Sequence, residues 1–327
     1  MGRLKGSIAV VVAVAGLLAC AWPAAAAPSA SQSFTHEELE PLLASLHEQG
    51  FAREDLERIF YDPRLQKIDR VVTFNVFNPD SADIYEQFRA PFAIKLAKNF
   101  RKRYMTELND IEKRFGVWKE VVVAILLVET QFGTAALRYR PLEVFTTLIV
   151  DASPEAVERH YQRLKPDRPT LDRAFLEARL QKKADWAYTE LVALLSMHDL
   201  QRVDDLYNIR GSYAGAFGMP QFLPRSYLNY GVDGDGNGRI SLYDPEDAIP
   251  SCANYLAVHG WKPGLSRAQR RHVIWFYNRS DAYIDAVLEL ADRLDAPPVP
   301  EVKRRKAVLP TKKAVAPPHK RTSRSTN

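Results

Sequence analysis

The sequence predicts a mainly α-helical fold, and three observations lead to that class. Apolar residues recur at helical spacing along most of the chain, few segments have the pattern of a strand, and no repeat of solenoid length is present. Hydrophobic residues make up 46% of the 327 residues, as expected for a globular protein with a substantial core. This length allows one large domain or two smaller ones.

The N-terminal segment has the pattern of a bacterial secretory signal. Arg3 and Lys5 precede an apolar stretch that is too short to span a membrane, and alanine-rich sequence follows up to Ala27. Residues 1–27 are therefore predicted to be a targeting segment. Two processing routes fit: ordinary cleavage in the alanine stretch, or a lipoprotein signal ending before Cys20, whose lipidation would anchor the protein to a membrane. The predicted location is the periplasm, in a soluble or lipid-anchored form.

Helices are predicted over most of the remaining chain. The predicted ranges are 36–49, 53–60, 91–115, 118–130, 171–200 as one or two helices, and 281–294. Gly50 and Gly116 are typical helix stops, and Asp244 followed by Pro245 is typical of a helix start. The valines of 118–130 would also suit a strand, but the length of the run favours a buried helix.

The net charge of +5 is unevenly distributed. Residues 296–327 hold nine lysines and arginines against one glutamate, with several prolines, serines and threonines, and this predicts a disordered basic tail. The body, residues 28–295, is mildly acidic, which argues against a nucleic-acid-binding domain. The tail either binds anionic envelope polymers by charge or is solvated without a specific partner.

Glu129 is the first candidate catalytic residue. It ends the apolar run 121–128 and precedes Thr130, Gln131 and Phe132. Burial raises the pKa of a carboxyl, and a carboxyl that keeps its proton near neutral pH can act as a general acid. The competing interpretation is a solvated acid at a helix end, without a catalytic role.

Residues 233–244 match the twelve-residue loop of an EF-hand. Oxygen-bearing side chains stand at positions one, three and five, a backbone carbonyl at seven and a carboxylate at twelve. The corresponding ligands are Asp233, Asp235, Asn237, Arg239 and Asp244. These hard oxygen ligands predict a structural Ca²⁺, because a single loop after a short helix does not suit a paired calcium sensor. The alternative is a glycine- and aspartate-rich loop that binds no ion. The histidines and cysteines show no spacing typical of zinc sites.

The segment 208–224 is rich in glycine, alanine and aromatic residues. Small residues allow a ligand or another segment to come close, and the pattern matches neither GxGxxG nor a phosphate-binding loop. Gln221 offers an amide donor and acceptor beside aromatic faces, a combination suited to sugar hydroxyls and acetamides. Tight packing between helices explains the small residues equally well.

These motifs together resemble the membrane-bound lytic murein transglycosylase B family of the lysozyme-like superfamily. Residues 128–133 are similar to the family's VETxxG signature, and 211–222 to its GSxAGAxGxxQF segment. The EF-hand-like loop follows in the family order, and 276–278, Phe-Tyr-Asn, resembles the superfamily's xYN motif. The resemblance covers roughly 34–295, and it implies a lysozyme-like helical catalytic domain within residues 28–295.

The resemblance implies cleavage of the β-1,4 bond between N-acetylmuramic acid and N-acetylglucosamine in peptidoglycan, with formation of 1,6-anhydromuramoyl ends. Glu129 would act first as the acid and then as the base, and the glycan strand would be bound by Ser212, Gln221, Tyr277 and Asn278. Within this set, Ser212 and Gln221 would bond to the substrate. Tyr277 and Asn278 would orient the sugar or Glu129, with packing in the cleft wall as the alternative. Two rival hypotheses remain open. One is a hydrolytic muramidase, which uses water in place of the muramoyl C6 hydroxyl. The other is a non-catalytic, calcium-braced cell-wall-binding protein.

Three features depart from the family pattern. Fifteen residues separate Trp261 from Tyr277, where family members carry a much longer insertion, so parts of the substrate groove are expected to be missing or rebuilt. Pro220 stands where glycine is usual, and the basic tail has no counterpart in the family. The sequence does not determine the oligomeric state.

Overall fold

The computed structural model describes residues 32–77, 82–199 and 203–294. Within these ranges the chain is mainly helical, which confirms the fold class predicted from the sequence. The predicted signal, Cys20 and the predicted basic tail lie outside the described residues. No helix in the described ranges is long and apolar enough to cross a membrane.

The α-helices follow one another with short connections. They are α1 (His36–Glu48), α2 (Arg53–Phe60), α3 (Asp69–Phe77), α4 (Pro91–Arg103), α5 (Met105–Phe115), α6 (Lys119–Thr130), α7 (Pro141–Val150), α8 (Pro154–Leu164), α9 (Arg173–Asp199), α10 (Pro224–Tyr230), α11 (Pro245–Val258), α12 (Arg267–Tyr277) and α13 (Asp281–Arg293). Short 3₁₀-helices cover Ala82–Arg89 and Leu206–Asn208, and the strands β1 (Gln32–Ser33) and β2 (Gln66–Lys67) pair antiparallel.

Local sequence sets several helix boundaries. Thr35 caps α1 and forms a capping box with Glu38, so that two backbone N–H groups at the helix start are satisfied by side chains. Helix α5 ends at Gly116, whose φ of 68° is a left-handed conformation that glycine adopts without a steric cost. The predicted boundaries of α1, α2, α6 and α13 agree with the structure to within one or two residues.

The predicted helix over 91–115 is wrong in one respect, because the structure divides it into α4 and α5. Tyr104 leaves the helical conformation, with φ of −108° and ψ of 35°. The apolar spacing runs on through Tyr104, so the sequence pattern did not reveal the break. Its physical reason is tertiary: α4 packs against α6 and the first 3₁₀-helix, whereas α5 packs mainly against α11.

Helix α6 is the central helix of the core. Every residue from Glu120 to Thr130 is buried, and α4, α5, α11 and α13 all pack against it. Such a helix is apolar on all sides because it has no solvent-facing stripe. The two acids that it carries therefore have to be paired or neutral. Glu120, near its start, pairs with Arg101 at 3.2 Å.

Helices α7 and α9 form a second packed pair beside this core. The predicted range 171–200 is a single helix, α9, which also contacts α3, α8 and α10. The fifteen residues between Trp261 and Tyr277, where a longer insertion is typical of the family that the sequence resembles, fold mainly into α12. Helices α12 and α13 follow each other closely, and α13 packs directly on α6.

Candidate active site

Glu129 lies in the last turn of α6 and is completely buried, with 0% of its surface exposed. The sequence places it there because the apolar run before it fixes α6 in the core, and the helix continues one residue beyond it. Burial of the whole side chain contradicts the interpretation of Glu129 as a solvated helix-end acid. Whether the carboxyl can act as an acid or a base depends on its hydrogen-bond contacts.

The turn after Glu129 has an unusual backbone. Gln131, Phe132 and Gly133 have φ values of 49°, 60° and 80°, a left-handed run that costs free energy at the two non-glycine positions. Phe132 stacks on Phe100 with ring centres 4.0 Å apart. The Thr130 hydroxyl accepts from the Gly133 N–H and donates to the Met219 carbonyl at 3.0 Å. These contacts hold the end of α6 against the glycine-rich segment.

The environment of Glu129 keeps its carboxyl protonated at neutral pH. The Tyr283 hydroxyl donates a hydrogen bond of 2.7 Å to Oε1, and Oε2 has no hydrogen-bond partner within the protein. Burial raises the pKa of Glu129 to about 8, and the Tyr283 hydrogen bond opposes that shift because it stabilises the carboxylate. Because Oε1 already accepts from Tyr283, Oε2 is the carboxyl oxygen that can carry the acidic proton, as a general acid requires.

Tyr283 was not among the residues singled out from the sequence. It is fully buried in the first turn of α13, after the N-cap Ser280, and its ring contacts those of Tyr85 and Tyr277. Burial and the neighbouring carboxyl raise the pKa of its hydroxyl well above the ordinary value. The amphipathic pattern of α13 places Tyr283 on the core-facing side, but nothing in the sequence pairs α13 with α6.

Tyr277 and Asn278, which the sequence predicted as substrate contacts, are buried beside this pair. The Tyr277 hydroxyl donates to the Pro220 carbonyl at 2.5 Å, and its ring stacks on that of Tyr283. The Asn278 side-chain oxygen accepts from the Ser280 N–H at 3.0 Å, at the start of α13. Their observed contacts hold the glycine-rich segment and α13 in position around Glu129.

Ser212 and Gln221 lie at the two ends of the glycine-rich turn. The Ser212 hydroxyl accepts from the N–H groups of Ala214 and Ala216, so it closes its own turn. The backbone of Gln221 has a left-handed conformation, with φ of 49°. Its side-chain Nε2 donates to the Gly218 carbonyl at 2.8 Å. The Gln221 side-chain oxygen is buried and has no hydrogen-bond partner within the protein. Gln221 directly follows Pro220, the residue bonded to Tyr277.

Glycine is required in this turn by close packing. A Cβ at Gly215 would stand 2.3 Å from the ring of Phe145, and one at Gly218 would stand 2.3 Å from the Leu242 Cβ. Both glycines are also left-handed, with φ of 75° and 72°. Tight packing therefore accounts for these small residues, which agrees with the alternative interpretation of the segment. The same packing holds Gln221 near the end of α6.

The EF-hand-like loop gathers a different set of acids from the one predicted. Carboxylate oxygens of Asp233, Asp235 and Asp247 lie within 4.8 Å of one another. Asp244, predicted at the twelfth position, precedes Pro245 as the N-cap residue of α11 and is not part of this group. The helix start turns Asp247 toward the loop, three residues beyond the position that the EF-hand pattern assigns.

The remaining predicted ligands, Asn237 and Arg239, are exposed, and their side chains bond to other residues of the protein. The Asn237 side chain donates to Asp235 at 2.8 Å and accepts from the Arg239 N–H. The Arg239 guanidinium pairs with Asp204 at 2.9 Å. The Asp233 carboxylate accepts from the N–H groups of Gly236, Asn237 and Gly238, which lowers its pKa. Asp233 is therefore ionised and held in place by the turn.

The donor chemistry of this acidic group fits a hard divalent cation. Burial, with the charges of Asp235 and Asp233, raises the pKa of Asp247, so the three carboxylates repel one another without a counter-charge. Asp247 is held by the N–H groups of Gly234 and Ser241, at 2.7 and 2.6 Å. Oxygen ligands on a glycine-containing turn are those that Ca²⁺ prefers.

Comparison with known proteins agrees with these features. The family model described as transglycosylase SLT domain matches residues 34–271. Membrane-bound lytic murein transglycosylase B of Escherichia coli (strain K12) is 30% identical over 230 residues, which are 67% of this chain and 56% of that protein. The matched region thus spans just over half the length of that relative.

Two solved structures share the fold. Soluble lytic transglycosylase SltB1 from Pseudomonas aeruginosa superposes with a TM-score of 0.63 at 25% identity, covering 79% of this chain and 98% of that one. The Escherichia coli lytic transglycosylase Slt35, solved in complex with calcium, gives a TM-score of 0.61 at 25% identity, covering 79% and 92%. The lysozyme-like architecture expected from the motifs is thereby confirmed, and the chain belongs to the transglycosylase SLT domain family.

Proposed function

We propose that this protein is a lytic transglycosylase of peptidoglycan. The observation that carries the proposal is Glu129: a fully buried carboxyl whose pKa is raised to about 8, with one oxygen bonded to Tyr283 and the other without a partner. The family membership and the relative named a lytic murein transglycosylase support the same activity.

The proposed reaction begins with the protonated Glu129. It donates its proton to the oxygen that links C1 of N-acetylmuramic acid to C4 of N-acetylglucosamine, and the C1–O bond breaks. The muramoyl C6 hydroxyl then bonds to C1, closing the 1,6-anhydro ring, and its proton returns to the carboxylate of Glu129. No water is consumed, and the enzyme ends in its starting state.

A single carboxyl suits this reaction. Ordinary glycosidases hold a second carboxyl roughly 5–9.5 Å from the acid, as nucleophile or as base for water. Among the described residues no second carboxylate contributes to the pKa shift of Glu129, whose causes are burial and Tyr283. Tyr283 stabilises the carboxylate that forms after the first proton transfer, because its hydroxyl already donates to Oε1.

The other site residues take two proposed roles. Gln221 contacts the glycan, because its side-chain oxygen has no partner within the protein. Tyr277, Asn278 and Ser212 support the site from behind, in addition to any contact with sugar, because their side chains already bond within the protein. The prediction for Gln221 is thus kept, and Ser212, predicted to bond to the substrate, is given a supporting role. For Tyr277 and Asn278 the proposal favours orientation of the site, one of the roles predicted from the sequence.

A structural Ca²⁺ is the proposed cofactor. Asp233, Asp235 and Asp247 would hold it by their carboxylates, and the ion would supply the charge that balances their mutual repulsion. The relative solved in complex with calcium supports this proposal. Met219, whose carbonyl meets Thr130, also donates its N–H to the Leu242 carbonyl, so the loop that precedes α11 is tied to the end of α6.

The proposed location is the cell envelope. The signal pattern of residues 1–27, with cleavage in the alanine stretch or lipidation of Cys20, would deliver the catalytic domain, 28–295, to the periplasm. The partner is the peptidoglycan glycan strand. The basic tail, 296–327, would add attraction to anionic envelope polymers without a part in the chemistry.

Product analysis tests the proposed function. Purified protein is incubated with peptidoglycan, and the soluble products are separated by mass spectrometry. Anhydromuramoyl ends are the expected result. Reducing muramoyl ends would identify a hydrolytic muramidase instead, and binding without any soluble product would identify a wall-binding protein.

A further inference from the structure

One face of α9 carries three groups whose charges or donors are left without an acidic partner. Arg179, Lys183 and Trp186 stand at i, i+4 and i+7, so their side chains share one side of the helix. In the described part of the chain, neither Arg179 nor Lys183 forms an ion pair, although many surface arginines here do. Arg179 instead donates to the carbonyl of Val76, at the end of α3.

Lys183 and Trp186 are the unusual members of this face. The Lys183 ammonium lies 5.0 Å from the centre of the Trp186 ring, and burial with the nearby charges of Arg179 and Lys182 lowers its pKa to about 8. It is therefore still mostly charged at neutral pH. The indole N–H of Trp186 is buried and donates to no group of the protein. Unpartnered buried donors are costly and uncommon in folded proteins.

This face adjoins the glycine-rich turn of the candidate active site. The Trp186 ring meets Phe145 edge-on at 5.7 Å, and Phe145 in turn fills the space beside Gly215. From the other side, Asn75 of α3 donates to the Tyr213 carbonyl at 2.9 Å. The α9 donors are thus connected by direct packing to the turn that begins at Ser212.

We propose that Lys183 and Trp186, with Arg179 beside them, bind a carboxylate of the stem peptide carried by the muramoyl residue of the strand. A carboxylate accepts hydrogen bonds from ammonium, guanidinium and indole N–H groups, and it supplies the negative charge that the face lacks. The proposal rests on the proposed function, since that function defines the glycan strand as the substrate.

The stem peptide is the part of this substrate that fits. The glycan backbone of alternating N-acetylated sugars is uncharged where the lactyl carboxyl is joined to the peptide as an amide, whereas the peptide carries free carboxylates. An extended peptide spans about 3.3–3.6 Å per residue, so five residues reach roughly 17 Å from the sugar. The Phe145 ring bridges Trp186 and Gly215, with its centre 5.7 Å from that of Trp186, and this span is shorter than the reach of the peptide.

Kinetics on two matched substrates test this proposal. The substrates are glycan strands with stem peptides and the same strands stripped of peptide by an amidase. For wild type we expect a higher kcat/KM on the peptide-bearing strands. Lys183→Gln should reduce that preference about tenfold, mainly through KM, as loss of one charge-assisted hydrogen bond implies.

Lys182→Gln is the matched control, since it removes the same charge from an exposed neighbour on the same turn of α9. It should keep the wild-type preference. An unchanged preference in Lys183→Gln, with wild type active on both substrates, would overturn the peptide site and leave the proposed function standing. A wild type that releases no anhydro product from either substrate would overturn the proposed function itself.

A binding measurement tests the peptide site without depending on catalytic activity or on correct folding of the Lys183 variant. The indole N–H signal of Trp186 is assigned with Trp186→Phe and followed by NMR in Glu129→Gln during titration with a muramoyl peptide. A saturable shift is expected, and the amidated peptide should produce a much smaller one. No shift, or an equal shift with inorganic phosphate, would contradict recognition of a peptide carboxylate.

Discussion

The end of α6 and the loop 233–247 use the same functional group in opposite settings. Glu129 is buried, receives one hydrogen bond and has its pKa raised to about 8. Asp233 is solvent-accessible, receives three backbone N–H groups and has its pKa lowered. The first setting retains a proton, and the second retains a negative charge.

The hydrogen-bond donors around a buried or exposed carboxyl therefore affect its protonation state as much as burial does. Asp247 is buried like Glu129, yet it accepts two backbone N–H groups and lies beside two further carboxylates, whose repulsion the proposed Ca²⁺ would balance. No neighbouring carboxylate among the described residues shifts the pKa of Glu129, and the carboxyl avoids the cost of a buried charge by keeping its proton. Four measurements test this contrast.

Glu129→Gln should have the largest effect, a loss of about 10³-fold or more in kcat, because the amide cannot donate the catalytic proton. Release of soluble anhydromuropeptides measures it. Glu120→Gln is the matched control: Glu120 is a second buried acid of the same helix with a raised pKa, but it pairs with Arg101. A variant at 129 that keeps wild-type activity would remove Glu129 from the mechanism.

The same Glu129→Gln substitution should stabilise the protein at higher pH. Below about pH 4.5 the carboxyl of Glu129 is protonated in both the folded and the unfolded state. Between about pH 4.5 and about 8 it is protonated only in the folded state, so the free energy of unfolding falls as the pH rises. From pH 5.5 to 7.5 the wild type should lose roughly 3 kcal/mol relative to the variant. Urea unfolding of both proteins at the two pH values measures this difference. A constant difference would contradict a raised pKa.

Calcium should stabilise the wild type by about 2.7 kcal/mol at a concentration one hundred times its Kd, which raises Tm by several degrees. Asp247→Asn should abolish most of this rise, because it removes a carboxylate of the acidic group. Asp244→Asn should keep it, since Asp244 lies outside the group and its side chain makes no capping hydrogen bond. Thermal unfolding with Ca²⁺ and with EDTA decides between them. The reverse ranking would restore the ligand set predicted from the sequence.

Tyr283→Phe should have the smallest effect, about a tenfold lower kcat, because one hydrogen bond to the Glu129 carboxylate is lost. That hydrogen bond lowers the pKa of Glu129, so its removal should move the alkaline limb of the pH–rate profile to higher pH. Tyr207→Phe is the control, since the Tyr207 hydroxyl bonds to the Ile59 carbonyl away from Glu129. An alkaline limb that moves to lower pH in Tyr283→Phe would contradict the assigned role.

Local sequence patterns were enough to predict the helical class, the catalytic candidate and the acidic loop. Apolar spacing and helix stops depend on near neighbours, so the ranges of α1, α2, α6 and α13 were predictable. Glu129 was identifiable for the same reason, because an apolar run of helix length has to be buried and takes the following acid with it.

The groups that surround these acids could not be predicted from the sequence, because they come from distant parts of the chain. Tyr283 reaches Glu129 because α13 packs on α6, a contact between residues 154 positions apart. Asp247, and not Asp244, lies beside Asp233 and Asp235 because the start of α11 turns it toward the loop. Helices α4 and α5 separate because they pack on different helices. Local pattern fixes where a helix begins and ends, whereas the partners of a side chain depend on long-range packing that no local pattern contains.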